Sequence, residues 1–349
     1  MTTVLESLNA ALHHAMQNDP RVILLGEDIL DPYGGAFKVT RGLSTAFPDR
    51  VWGTPISEAA ITGVAAGMAM RGLRPVVEIM FGDFVTLAAD QLINHAAKFR
   101  WMYNEQVRVP MVLRTPMGGR RGYGPTHSQT LEKLYLGVPG LRVAAPFDLA
   151  GEGNPGDLLR AALDDDDPVL FIENKLQYLD KLQTPESLPD FEIDRLPPAG
   201  FPTFRLKIRG APAPEWTLAA CGYAAKLARE AVLQLAYEHE IFCELIVPTQ
   251  LAPFDAPMEA VLASLRATRR LLTIEEGTRS LGWGAEVLAR AAEALGPRLT
   301  AARRVAARET PIPVSGVLEK VSLPSKNEII RTVSAGKTPV PVQPHKEQK

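Results

Sequence analysis

Apolar positions along this chain come in two modes, strand-length runs and longer stretches with a helical period. Val4, Leu5, Leu8, Leu12 and Met16 fall on one face of an amphipathic helix within residues 1–19. Residues 21–27 (RVILLGE) form an apolar run ending in Gly26 and Glu27, a buried strand whose C-terminal edge could face a ligand. Ser57 to Gly72 is helical by period. Its Gly63 and Gly67 stand four apart among Ala59, Ala60, Ala65, Ala66 and Ala69, so close packing against that helix is expected. A strand follows at 74–81, a helix at 84–104 and a strand at 109–115. After a loop holding Gly118, Gly119, Gly122 and Gly124 come a helix at 128–136 and strands at 141–145 and 168–173.

Between 180 and 215 the periodicity fades. Pro185, Pro189, Pro197, Pro198, Pro202, Pro212 and Pro214 mark this stretch as an interdomain linker, residues 181–215. A second alternating set begins at 216, with strands at 216–221, 241–247, 270–275 and 301–306 and helices at 223–238, 257–267 and 284–295. The fold class read from this alternation is α/β, with two open, mainly parallel sheets in domains at 1–180 and 216–335. Residues 336–349 (KTPVPVQPHKEQK and the Gly before them) read as a disordered tail.

Bulk composition narrows the function. The chain has 349 residues, 46% of them hydrophobic, enough to bury two cores. A formal net charge of −2 gives no polybasic field, which disfavours nucleic acid and anionic membrane as partners. The longest apolar runs are too short to span a bilayer, and residues 1–19 lack the pattern of a signal or transit peptide. Cys221 and Cys243 sit in apolar runs and read as buried reduced thiols, which points to a bacterial-type cytoplasm.

Three segments carry candidate chemistry. Thr54-Pro55-Ile56-Ser57-Glu58-Ala59-Ala60 puts an acid at a helix start, and Met80-Phe81-Gly82-Asp83-Phe84 follows a strand. Gly124-Pro125-Thr126-His127-Ser128-Gln129 puts an imidazole in a glycine-rich loop. Taken singly, Glu58 is a first-turn acid favoured by the helix dipole, Met80 and Phe84 are ordinary core, and His127 is one of six histidines.

Together these segments resemble the β subunit of the E1 component of 2-oxo acid dehydrogenases, in the transketolase-like superfamily. Ordered matches run from Gly26-Glu27-Asp28 to about Ile330. They include Gly72 to Glu78, Asp90 to Asn94, Val138-Pro139-Gly140-Leu141, Asp167 to Phe171, Ile274-Glu275-Glu276-Gly277 and Pro311-Ile312-Pro313. The resemblance implies a pyrimidine-binding domain at 1–180, a transketolase C-terminal-type domain after the linker, and thiamine diphosphate as cofactor. It makes Glu58 the acid that shares a proton with N1′ of the aminopyrimidine, which needs burial to outweigh the helix dipole at its carboxyl. It sets Met80 and Phe84 against the pyrimidine ring and His127 near the reacting centre, where a side chain titrating near neutrality suits proton transfer. Glu27 is a further acid near the cofactor. Arg120 and Arg121 are weaker candidates for a substrate carboxylate or phosphate, since a guanidinium fork suits planar anions. Related subunits hold a structural K+ through backbone oxygens, here those of Met111, Ala162, Leu163, Asp165 and Asp167.

No Gly-Asp-Gly followed by Asn-Asn, the superfamily's Mg2+–diphosphate motif, occurs in the chain. The resemblance therefore implies an α-type subunit that supplies the Mg2+ site, in an α2β2 assembly. The function it implies is decarboxylation of a pyruvate-like 2-oxo acid and transfer of the acyl group to a lipoyl E2 carrier. Three departures bear on that partner: the longer Phe147 to Leu159 segment, Val247-Pro248-Thr249-Gln250-Leu251 in the second domain, and Thr126 before the histidine. They leave open a biosynthetic enzyme that loads a two-carbon unit, from a 2-oxo acid or a ketose phosphate, onto an acyl carrier protein. A non-catalytic scaffold is the reading from another class; joint retention of Glu58, Phe84 and His127 speaks against it.

Overall fold

A computed structural model describes residues 2–335. The expected tail at 336–349 lies outside them. The first sheet contains β1 (Val22–Gly26), β2 (Val51–Gly53), β3 (Arg74–Glu78), β4 (Val112–Met117), β5 (Arg142–Ala144) and β6 (Val169–Asn174). All six run parallel, in the order β5-β6-β4-β3-β1-β2. Every residue of β1 and β4 is buried, as expected of central parallel strands covered on both faces.

The second sheet contains β7 (Phe191–Leu196), β8 (Thr203–Ile208), β9 (Trp216–Ala220) and β10 (Cys243–Pro248); after β11 (Gln250–Ala252) come β12 (Arg270–Thr278) and β13 (Ala301–Ala307). Its order is β13-β12-β9-β10-β8-β7; β8 runs antiparallel to both β10 and β7, and the other pairs are parallel. Strand β11 leaves this half and pairs antiparallel with β5, closing the edge of the first sheet.

Helices α1 (Val4–Asn18), α2 (Leu43–Ala46), α3 (Glu58–Met70), α4 (Ala97–Met102) and α5 (Pro155–Asp164) belong to the first half. The second half has α6 (Gly222–His239), α7 (Asp255–Thr268), α8 (Trp283–Leu295), α9 (Gly316–Ser322) and α10 (Lys326–Ser334). Thr3 and Glu6 close a capping box that fixes the start of α1, whose Val4, Leu8, Leu12 and Met16 are buried as the sequence pattern predicts. One apolar cluster joins the halves: Leu113 and Leu170 of the first sheet share it with Ala219 and Ile246 of the second and with Trp283 of α8. No helix among the described residues is long and apolar enough to cross a membrane.

Several expectations need correction. The stretch read as a linker carries β7 and β8, six residues each, paired from Phe191–Ile208 to Leu196–Thr203. Its prolines mislead because Pro197, Pro198 and Pro202 sit in the connection, outside the ladder, where a missing N–H costs nothing. The helix read at 84–104 is instead a 3-10 segment (Gly82–Ala88), a π turn (Gln91–Ala96) and the short α4. The helix read at 128–136 shrinks to a 3-10 turn at Glu132–Leu134. There, Gln129 N donates to Asp83 Oδ1 and Leu131 N to Met117 Sδ, so tertiary partners take donors that a helix would use. The long 147–159 segment is absorbed into the fold: it leads into α5, and Asp148 makes a buried bidentate pair with Arg229 of α6.

Candidate active site

The site residues come together because parallel strands end in line. Gly26 stands opposite both Gly53 and Glu78, and Glu78 opposite Arg114, so β2, β1, β3 and β4 present their C-terminal ends side by side. That edge is where open α/β sheets bind ligands. Glu27 is the first residue beyond β1, and Glu58 opens α3 after β2. Met80 and Phe84 lie in the turn after β3, and His127 lies in the glycine loop after β4.

Glu58 is buried, with 6% of its surface exposed, on a helix start that has no side-chain cap. Glu27 is its electrostatic neighbour. Burial pushes the Glu27 carboxyl up, the Glu58 charge pushes it further, and the Ser57 N–H works against both. Glu27 Oε1 is buried without a hydrogen-bond partner. Two acids that share a field in this way favour a retained proton between them.

On the next strand end, the His127 ring meets Phe81 edge-on at 4.9 Å and Phe84 at 5.1 Å. Phe81 also touches Phe37, Phe84 and Tyr123, with centroids at 5.7, 6.0 and 5.9 Å. Thr126 Oγ1 lies 2.9 Å from His127 Nδ1, which leaves Nε2 as the nitrogen free for chemistry. Gln129 Nε2 donates to Asp83 Oδ1 at 2.8 Å and ties the histidine loop to the aromatic turn. Met80 is partly exposed at the start of that turn.

The two arginines have different fates. Arg120 is committed to the second half: its Nη1 stands 2.8 Å from Glu276 Oε2, and its Nη2 donates to Pro324 O at 2.7 Å. Arg121 is exposed, beside Phe37 and Tyr123 with each centroid at 5.8 Å, and donates to Lys175 O at 3.3 Å.

Residues that sequence reasoning missed hold this edge together. Arg114, 1% exposed, donates to Glu173 through Nε at 2.8 Å and Nη2 at 2.5 Å, and through Nη1 to Glu78. Tyr178 OH donates to Glu173 Oε2 at 2.6 Å. Burial opposes the Arg114 charge, but Glu173 and Glu78 outweigh it and hold the guanidinium protonated. Burial also pushes Glu78 up to about 6, against the pull of Arg114. Phe81 was legible, being inside the aromatic motif itself. Nothing in the local sequence marks Lys175, whose Nζ donates to His127 O.

The backbone oxygens implied for K+ lie where α5 ends and β4 begins. Arg74 Nη1 already donates to two of them, Leu163 O at 2.6 Å and Asp165 O at 3.0 Å, and Met111 O accepts from Val169 N. The Asp165 and Asp167 side chains are held by Arg142 and Arg100. Among the described residues no group of His, Cys, Asp or Glu is arranged to hold a metal ion.

Residues 1–180 match the family model "Transketolase, pyrimidine binding domain", and residues 207–329 match "Transketolase, C-terminal domain". The pyruvate dehydrogenase E1 component subunit beta-1, mitochondrial, of Arabidopsis thaliana is 38% identical over 331 residues, covering 94% of this chain and 87% of that relative. The chain belongs to the E1 β-subunit family. As an E1 β subunit it is one part of a thiamine-diphosphate-dependent enzyme. Another relative, the acetoin:2,6-dichlorophenolindophenol oxidoreductase subunit beta of Bacillus subtilis (strain 168), is 35% identical, covering 93% of this chain and 94% of its own. In fold alone, the E1 β subunit matches a solved split gene transketolase, an inactive beta4 tetramer. The TM-score is 0.69 at 19% identity, over 95% of this chain and 97% of that one.

Proposed function

We propose that this chain, paired with an α-type subunit in an α2β2 assembly, decarboxylates a pyruvate-like 2-oxo acid and passes the acyl group to a lipoyl carrier. One observation carries the proposal: a buried acid coupled to a second acid stands on the same sheet edge as an imidazole packed edge-on against two touching aromatic rings. When bound, thiamine diphosphate supplies the nucleophilic carbon and the electron sink that the decarboxylation needs.

The chain's own residues supply the rest. Glu58 holds a proton at N1′ of the aminopyrimidine, and Glu27, with an unpartnered buried oxygen, keeps the local field favourable to that proton. Phe84 and Met80 provide a flat and a polarisable wall for the ring. His127, with Nε2 free, donates to or accepts from the acyl group and its acceptor. Arg121 attracts the substrate carboxylate.

The α subunit is needed because the chain lacks the Mg2+–diphosphate motif and exposes apolar side chains beside Glu58 in the sequence. Ile56 is 84% exposed and Val64 54%. K+ at Met111, Ala162, Leu163, Asp165 and Asp167 would share the Leu163 and Asp165 oxygens with Arg74. Thermal melts in KCl against NaCl test it; identical curves remove the ion. The chain acts in a bacterial-type cytoplasm.

The test co-expresses the chain with its α-type partner. It measures CO2 release from pyruvate, 2-oxobutyrate and 3-methyl-2-oxobutanoate, then acyl transfer to a lipoyl domain and to an acyl carrier protein. CO2 release with lipoyl acylation supports the proposal. Release from none of the three acids overturns it, and acylation of the carrier protein alone would replace the acceptor.

A further inference from the structure

Lys175 follows β6 and is 1% exposed, yet the mechanism above gives it no task. Its Nζ donates to the main-chain oxygen of His127. The same ammonium lies 5.0 Å from the Phe81 ring centroid and 5.9 Å from that of Tyr123. No carboxylate among the described residues is within ion-pair reach of it. A buried charge without a counter-ion is expensive, and two ring faces offset only part of that cost. An apolar side chain would fill the space at lower cost, so the charge itself has a use.

That use is visible in what the ammonium touches. A charge-assisted hydrogen bond to a carbonyl is about twice as strong as a neutral one. This one fixes the peptide that leaves His127, while Phe81 contacts both the imidazole and the ammonium. We propose that Lys175 is the positioning residue of His127, pinning the loop so that the imidazole stays against Phe81 and Phe84 with Nε2 toward the acyl group. The inference rests on the role given to His127 above.

The groups facing the ammonium come from four elements. They are Asp83 of the 3-10 segment, Glu276 of β12, Glu319 of α9, and Arg121 of the glycine loop. Burial lowers its pKa to about 8; Asp83, Glu276 and Glu319 resist that shift and Arg121 adds to it. The clamp therefore weakens in the alkaline range.

The test uses the assembled α/β complex with whichever of the three 2-oxo acids named above reacts fastest. Reduction of 2,6-dichlorophenolindophenol reports turnover without a carrier, and acylation of free lipoamide reports transfer. Lys175→Met should lower the ratio of transfer to dye reduction by about 10²-fold, the scale of a misplaced catalytic group. Lys175→Arg should restore most of it. Wild-type transfer should fall with a midpoint near pH 8, and that inflection should be missing from Lys175→Met. The His127 Cε1–H resonance of the chain alone should show the same inflection, lost in the variant.

An unchanged ratio in Lys175→Met, or losses that simply add in the Lys175→Met/His127→Ala double variant, would overturn the inference. If His127→Ala alone leaves transfer intact, the role of His127 fails instead; the resonance still reports whether the clamp exists.

Discussion

Arg120 Nη1 lies 2.8 Å from Glu276 Oε2, an ion pair that fastens the histidine loop of the first half to the end of β12 in the second. The fastening is repeated around it. Gly119 N donates to Glu276 Oε1 at 2.8 Å, Arg120 N donates to Glu319 Oε1 at 2.7 Å, and the guanidinium stacks 4.8 Å from the Tyr223 ring. The position of His127 is therefore set partly by residues some 150 to 200 positions further along the chain. The two neighbouring arginines differ in commitment: Arg120 holds the halves together, and Arg121 stays exposed.

Arg120→Ala should consequently act on stability and Arg121→Ala on substrate. Removing Arg120 strands the buried Glu276 carboxylate, a loss of about 3 kcal/mol by the usual cost of breaking such a pair. Arg121→Ala should change stability by no more than about 0.5 kcal/mol, as for an ordinary surface site. It should raise KM for the 2-oxo acid several-fold with kcat little altered, the signature of lost ground-state binding. Urea unfolding and steady-state kinetics on both variants decide this; the reversed pattern would return Arg120 to the substrate.

The buried acids at the junction predict a pH dependence of stability. Burial first, then Glu275 and Glu276, pushes Glu132 up to about 8, and burial pushes Glu275 up to about 7. Both acids have folded pKa values above the unfolded value of 4.5, so the native state keeps protons that the unfolded chain releases. Their contribution is fully present below that unfolded pKa and is lost as pH rises through about 7 and 8. Glu132→Gln should therefore gain stability over wild type on going from pH 5 to pH 8.5. Lys175 titrates in the opposite sense, its lowered pKa adding stability as pH rises from about 8 toward its unfolded value, and it cancels in the comparison. Equal pH profiles for variant and wild type would mean that Glu132 is ionised in the fold.

Period and apolar run length made most of the strand and helix order legible, because β1, β4 and β6 are buried on every or nearly every residue and α1 on one face. The first sheet edge was legible through motifs: Glu27, Glu58, Phe84 and His127 lie on neighbouring strand ends. What sequence hid depends on distant pairing. Strand β7 is an edge strand whose partly exposed residues carry little apolar signal, and its prolines sit in the connection to β8. The helix anticipated around 128–136 lost to Asp83 and Met117, partners 46 and 14 residues away. Arg114, Glu173 and Tyr178 look like stray polar residues until β4 and β6 pair.

The chain by itself should bind thiamine diphosphate weakly. Its sequence contains no Mg2+–diphosphate motif, and α3 leaves an open small-residue face: Gly67 is exposed with nothing within 4 Å of a Cβ built on it, while Gly63 meets only the Gln91 side chain. Titration calorimetry on the isolated chain should show little heat, and adding the α-type subunit should restore binding. Gly67→Leu should block that assembly while leaving the melting temperature of the isolated chain nearly unchanged. Submicromolar affinity of the chain alone would contradict the shared site.

Glu58→Gln tests the acid pair directly. The substitution keeps size and hydrogen bonding but removes the proton that Glu58 would hold, so the assembled variant should bind cofactor yet lose about 10²–10⁴-fold in exchange of its C2 proton. A second readout lies in the chain itself. The Glu27 carboxyl is pushed up by burial and then by the Glu58 charge, so it should titrate lower in the variant, moving back toward the usual carboxylate range. Carbon-13 NMR of the Glu27 carboxyl reads that shift without cofactor. A Glu27 titration that does not move would show that the two acids are uncoupled. Exchange at the wild-type rate in the assembled variant would remove Glu58 from cofactor activation, whatever Glu27 does.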